Sequence, residues 1–97
     1  AGDIYSFGCL LYELVTGHPP FTGSTQQELL SKQLYATPPF ASATNAGVTP
    51  QLDRFIRELL AKRPKERPSS MAEVAAHLRN TPFLTPKARS AASKKAD

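Results

Sequence analysis

Ninety-seven residues, 21% of them charged and 40% hydrophobic, suffice for one small domain or part of a larger one, with the composition of a globular chain. One cysteine excludes a disulfide framework, no Cys/His cluster has zinc spacing, and the longest apolar run, Cys9 to Tyr12, is far too short to span a membrane. The net charge of +4 is uneven: residues 1–50 hold one basic and three acidic side chains, residues 51–97 eleven and five.

The chain opens Ala1-Gly2-Asp3, with no initiator methionine and no basic n-region. No signal peptide is expected, and the sequence reads as one that starts inside something larger. A first helix is predicted over residues 3–16. Ile4, Tyr5, Phe7, Cys9, Leu10, Leu11, Tyr12, Leu14 and Val15 cover every side of its wheel, and a helix apolar all round belongs inside a larger protein. Asp3 is expected to cap it. Gly17 should end it in the left-handed conformation, with Pro19 and Pro20 forbidding continuation.

Thr25-Gln26-Gln27-Glu28 has the form of a capping box and opens a second helix to about Tyr35, with Leu29, Leu30 and Leu34 on one stripe. A loop follows over 37–49. Thr49 then caps a third helix with Pro50 at its first position. Leu52, Phe55, Ile56, Leu59 and Leu60, at i, i+3, i+4, i+7 and i+8, give it one apolar face. Ser70-Met71-Ala72-Glu73 opens a fourth helix with Met71, Val74, Ala75 and Leu78 inward. No period-2 strand pattern occurs, so the fold class is all-α. The Ala/Ser/Lys-rich stretch from about Pro82 lacks apolar periodicity and is expected to be a disordered basic tail or linker.

Asp3-Ile4-Tyr5-Ser6-Phe7-Gly8, followed by Tyr12-Glu13-Leu14 and by Gly17-His18-Pro19-Pro20-Phe21, resembles helix F and the next turn of eukaryotic-type protein kinases. Leu59-Leu60-Ala61-Lys62-Arg63-Pro64-Lys65-Glu66-Arg67-Pro68-Ser69 is similar to the stretch between that family's helices H and I. Both motifs stand in family order with a helix G candidate between them, and the details are most similar to bacterial Ser/Thr kinases. The resemblance implies helices F to I of the C-lobe over residues 1–81, with 82–97 as the tail. It also implies a parent enzyme that moves the ATP γ-phosphate to protein Ser/Thr hydroxyls with ATP and magnesium. The Gly-rich loop, the strand lysine, the His-Arg-Asp catalytic loop, Asp-Phe-Gly and Ala-Pro-Glu are absent from the chain. No catalytic, nucleotide or metal residue is therefore expected here, and the chain alone is expected to be inactive.

The resemblance gives four residues structural parts and one a substrate contact. Asp3 would accept hydrogen bonds from the catalytic loop's backbone, a role compatible with capping. Leu10 and Leu14, at i and i+4, are core residues that would also support the apolar stack beneath the adenine. Arg67 would pair with the Ala-Pro-Glu glutamate through its planar fork and be left unpaired where that partner is missing. Glu13 is the candidate contact to a substrate arginine, against a plain salt bridge or rim position. Cys9 reads as a buried apolar residue; Lys62, Arg63 and Lys65 read as exposed neighbours of Arg67. The expected partners are the N-terminal part of the kinase domain and protein substrates. The expected location is cytoplasmic, with room for a membrane anchor of the parent beyond the tail. Two other readings stand beside the kinase fragment. One is a pseudokinase-derived helical interaction module. The other is a basic nucleic-acid-binding protein, disfavoured because the basic residues split between a turn and the tail.

Overall fold

The computed structural model describes residues 2–90. Among the described residues the long α-helices are α1 (Gly2–Thr16), α2 (Gln26–Tyr35), α3 (Pro50–Leu59) and α4 (Met71–Arg79), with a further short helical stretch over 86–90. Single 3₁₀ turns occupy Ala41–Ala43 and Pro64–Glu66. The all-α expectation holds, and the local stop and start chemistry explains the boundaries. The Thr25 hydroxyl accepts from the Glu28 amide, that of Thr49 from the Leu52 amide and that of Ser70 from the Glu73 amide, each satisfying a donor left over in a first turn. In both capping boxes the glutamate reaches one residue further back than the pattern implies: Glu28 accepts from the Ser24 amide, and Glu73 from the amide and hydroxyl of Ser69. These bonds hold both carboxyls below the usual carboxylate range. Gly17 ends α1 at φ 85°, and its amide donates to the Glu13 carbonyl. Asp3 lies in the first turn of α1 rather than before it, so it meets the positive end of the helix dipole from inside the helix.

The core is a two-helix contact with satellites. The i, i+4, i+7, i+8 face of α1 (Ile4, Gly8, Leu11, Tyr12) packs on the Leu52–Phe55–Ile56–Leu59 face of α3. Leu60, Ala41, Val48 and Val74 close the edges. Gly8 sets the closeness of the crossing. A Cβ there would stand 2.8 Å from Leu59 Cβ and 2.9 Å from Leu60 Cδ2, and the first of these atoms is fixed to the α3 backbone. Gly8→Ala would gain about 1 kcal/mol of helix propensity and lose about 1–3 kcal/mol to overpacking. Net destabilisation is expected, seen as a lower denaturant midpoint; an unchanged or raised midpoint would refute the tight crossing.

Three expectations about packing are corrected. Leu10 and Leu14, read as core, are 64% and 74% exposed. Every element that buries α1 here lies on its other side. The α2 leucines do not form a buried stripe either: α2 has no buried residue, and Leu30 and Leu34 are more than half exposed. Met71 is exposed while Val74 carries the α4 contact. Helix α2 is tied down by polar bonds instead. Lys32 Nζ donates to the Thr22 carbonyl, and Lys62 Nζ donates to the carbonyls of Lys32 and Gln33.

The tail expected from Pro82 begins differently. Residues 82–85 run antiparallel to 47–49, with a bridge between Val48 and Leu84, and 86–90 are helical. The basic residues Lys94 and Lys95 of the expected tail lie outside the described residues.

Candidate functional site

The residues singled out in the sequence fall on two surfaces, one on α1 and one around Arg67. Asp3, Leu10 and Leu14, at i, i+7 and i+11, form one stripe on the side away from α3, and all three are exposed. Glu13 is exposed beside Leu14. This arc has two large aliphatic side chains bracketed by two carboxylates, with nothing of α2, α3 or α4 on it. The apolar-all-round pattern of α1 thus resolves into a half that is buried and a half that is presented.

The second surface surrounds Arg67, which follows the Pro64–Glu66 turn. It is half-buried at a recess of about 270 Å³ whose lining includes Tyr5, Leu30, Leu34 and Lys62. The expectation that Arg67 would stand unpaired is corrected. Its Nε donates to the Ala61 carbonyl at 2.7 Å and its Nη2 to the Lys62 carbonyl at 3.4 Å. Its guanidinium carbon lies 5.0 Å from the Tyr5 ring centroid, within cation–π range. The fork therefore collects the carbonyls that the chain leaves open just after α3, so Arg67 locks the turn from within this chain.

Lys62 was missed by sequence reasoning, which placed it among exposed charges. It is half-buried, bonds the last carbonyls of α2, and sits 4.5 Å from the Phe21 ring centroid. A cation suits those carbonyls because they carry the negative end of the helix dipole. Burial pushes its pKa below the usual lysine value. No local sequence signal marks it, since its partners are about 30 residues away. Arg63 and Lys65 are exposed as expected.

Cys9 and Tyr5, one turn apart, face the same Lys62–Arg67 corner. Burial raises both pKa values, most directly by desolvation, while Lys62 pulls the thiol down and Arg67 the phenol. Cys9 is half-buried and biased toward the neutral thiol, in keeping with a packing residue rather than a nucleophile. His18 ties its turn to the following loop: Nδ1 lies 3.0 Å from the Pro19 carbonyl and Nε2 3.2 Å from Thr44 Oγ1. His77 stacks on Phe55. Among the described residues no group of three His, Cys, Asp or Glu could hold a metal ion, and no helix is long and apolar enough to cross a membrane.

The surfaces offer apolar and charged contacts, not a set of reacting groups. Comparison with known proteins gives them a context. Residues 1–84 match the protein kinase domain family. Over 76 residues, 78% of this chain, it is 41% identical to the serine/threonine-protein kinase PknB of Mycolicibacterium smegmatis, and 40% identical to PknB of Mycobacterium tuberculosis. It is 41% identical over the same length to the serine/threonine-protein kinase PknL of Mycobacterium tuberculosis. The chain spans only 12% of each PknB and 19% of that PknL. With its motifs, helix order and matched length in agreement, the chain belongs to the protein kinase domain family.

Proposed function

We propose that these residues form the lower part of the C-lobe of a Ser/Thr protein kinase that transfers the ATP γ-phosphate to protein hydroxyls. One observation carries the reading: the Leu10–Leu14 face of α1 is apolar and uncovered, on the helix that the family buries at the centre of its C-lobe. A lobe segment upstream of α1 would cover it, with Asp3 receiving the catalytic loop's backbone donors and Leu10 and Leu14 supporting the stack beneath the adenine. The recess at Arg67 would take the Ala-Pro-Glu glutamate as a further partner for a fork already set by Ala61 and Lys62. ATP and magnesium belong to residues outside this chain, because phosphoryl transfer needs a phosphate cradle, metal ligands and a positioned aspartate that its sequence lacks. A cytoplasmic location fits this reading, since ATP is supplied there.

The chain by itself is therefore expected to be inactive. Incubation of the purified 97 residues with labelled ATP, magnesium and a basic protein substrate should give no transfer, and the natural chain that extends upstream should give it. Label incorporated by the 97 residues alone would overturn the assignment.

Glu13 supports a part in substrate choice, because its carboxylate is exposed on the same arc. In the complete kinase, Glu13→Gln should raise KM for a peptide with an arginine near the acceptor several-fold, about 1 kcal/mol for one exposed charge contact, with kcat unchanged. Equal KM values for the arginine peptide and its alanine counterpart in both enzymes would remove Glu13 from the substrate site.

A further inference from the structure

Residues 82–90 are held against the loop before α3 by an interlocking set of contacts. The Thr49 amide donates to the Phe83 carbonyl at 3.0 Å, and the Thr85 amide to the Gly47 carbonyl at 2.8 Å. The Thr49 hydroxyl donates to the Pro82 carbonyl while accepting from the Leu52 amide at 3.0 Å. One buried hydroxyl, on a residue 5% exposed, thus serves both the cap of α3 and the incoming strand. Beyond the strand, Thr85 turns the chain into the helical stretch 86–90: its hydroxyl accepts from the Ala88 amide and its carbonyl from the Arg89 amide. Ala88 then seats directly on Gly47, where a Cβ would come within 2.6 Å of Ala88 Cβ. Gly47 has no positive φ, so the close approach of Ala88, not backbone strain, is what a side chain there would disturb. Phe83 packs on the core, and Val48, in the paired edge, is 3% exposed.

We infer that residues 82–90 are a conformational latch, closed over the Gly47–Thr49 edge, whose opening and closing is coupled to the cap of α3. With the latch shut, 82–90 is pinned to the edge just before α3. With it open, Thr49 loses the acceptor of its hydroxyl and of its amide, and the edge residues Val48 and Phe83 lose their cover. The physical basis for opening without unfolding is that the latch adds one short bridge and one turn to a core whose main contact, α1 on α3, does not include it. Locally held elements of this kind open at lower free energy than the core they cover.

Amide hydrogen exchange on the longest natural chain containing these residues tests the latch. In the unaltered protein the Thr49, Thr85 and Arg89 amides should be protected. Gly47→Ala should speed exchange across 82–90 by roughly tenfold, the scale set by losing about one ordinary hydrogen bond, while amides at the centre of α3 keep their protection. Adding Ala88→Gly should restore part of the protection by making room for the new methyl. Thr49→Asp gives an independent arm and decides the matter if Gly47→Ala unfolds the chain. Its carboxylate can still accept from the Leu52 amide but has no proton for the Pro82 carbonyl, so 82–90 should open with α3 intact. Unprotected Thr85 and Arg89 amides in the unaltered protein would overturn the latch. So would wild-type exchange over 82–90 in both Gly47→Ala and Thr49→Asp, or failure of Ala88→Gly to restore any protection to a folded Gly47→Ala chain.

Discussion

Arg67→Ala is expected to cost the complete kinase domain about 3–5 kcal/mol, the usual penalty for breaking a buried charge pair from one side, and the isolated chain distinctly less. Two kinds of contact separate the values. Within the chain the guanidinium bonds the Ala61 and Lys62 carbonyls and approaches the Tyr5 ring. One hydrogen bond of a charged donor contributes about 1.5–3 kcal/mol, and of these two only the 2.7 Å bond to Ala61 is short enough to count in full, the Lys62 contact at 3.4 Å adding little. In the complete domain the proposed carboxylate partner adds a second loss and leaves a buried acid without its cation. Arg67→Lys should recover little, because an ammonium cannot hold two carbonyls and a carboxylate in one plane. Urea unfolding of both proteins, each with both variants, checks the expectation. An equal loss in the isolated chain and the complete domain would eliminate the carboxylate partner while leaving the turn-locking role intact.

The α1 stripe gives the second large effect, with a reversed dependence on context. Leu10→Asp and Leu14→Asp should change the stability of the 97 residues by no more than about 0.5 kcal/mol, as exposed substitutions generally do, because both side chains already stand mostly in water. In the complete kinase each should be severe. It removes a packed leucine, worth about 2–5 kcal/mol by large-to-small substitution, and adds an unpaired charge at an apolar contact. Loss of soluble expression or of the cooperative thermal transition in the longer protein, with the short chain unaffected, is the expected pair of results. A longer protein that tolerates both aspartates would show that this face stays uncovered, and the C-lobe assignment would fail with it.

Much of the architecture was legible in the sequence because it is set by local chemistry. Thr49-Pro50, Ser70 and Gly17 act on backbone groups within four residues of themselves, and the apolar face of α3 needs only its own period to be recognised. The same spacing rule could not decide α1, since a helix apolar on all sides offers no preferred face; the position of α3 makes Gly8 and Leu11 interior and leaves Leu10 and Leu14 outside. Nor could it place the α2 leucines, of which Leu30 and Leu34 edge the open recess at Arg67 instead of a packed interface.

The candidate site divides along the same line. The order of residue types from Asp3 to Phe21 and from Leu59 to Ser69 carried the family, and with it Asp3, Glu13 and Arg67 as positions of interest. Tertiary structure alone decided what Arg67 touches, that Lys62 is a half-buried cap on a helix 30 residues away, and that 82–85 pairs with 47–49. Local patterns thus set α1 to α4 and most of their ends, through contacts that span a turn or two, but not the helical stretch 86–90 or the start of α1 ahead of Asp3. Only the fold determined which faces are covered and which charges are partnered. Burial and long-range hydrogen bonding depend on residues that are distant in the chain.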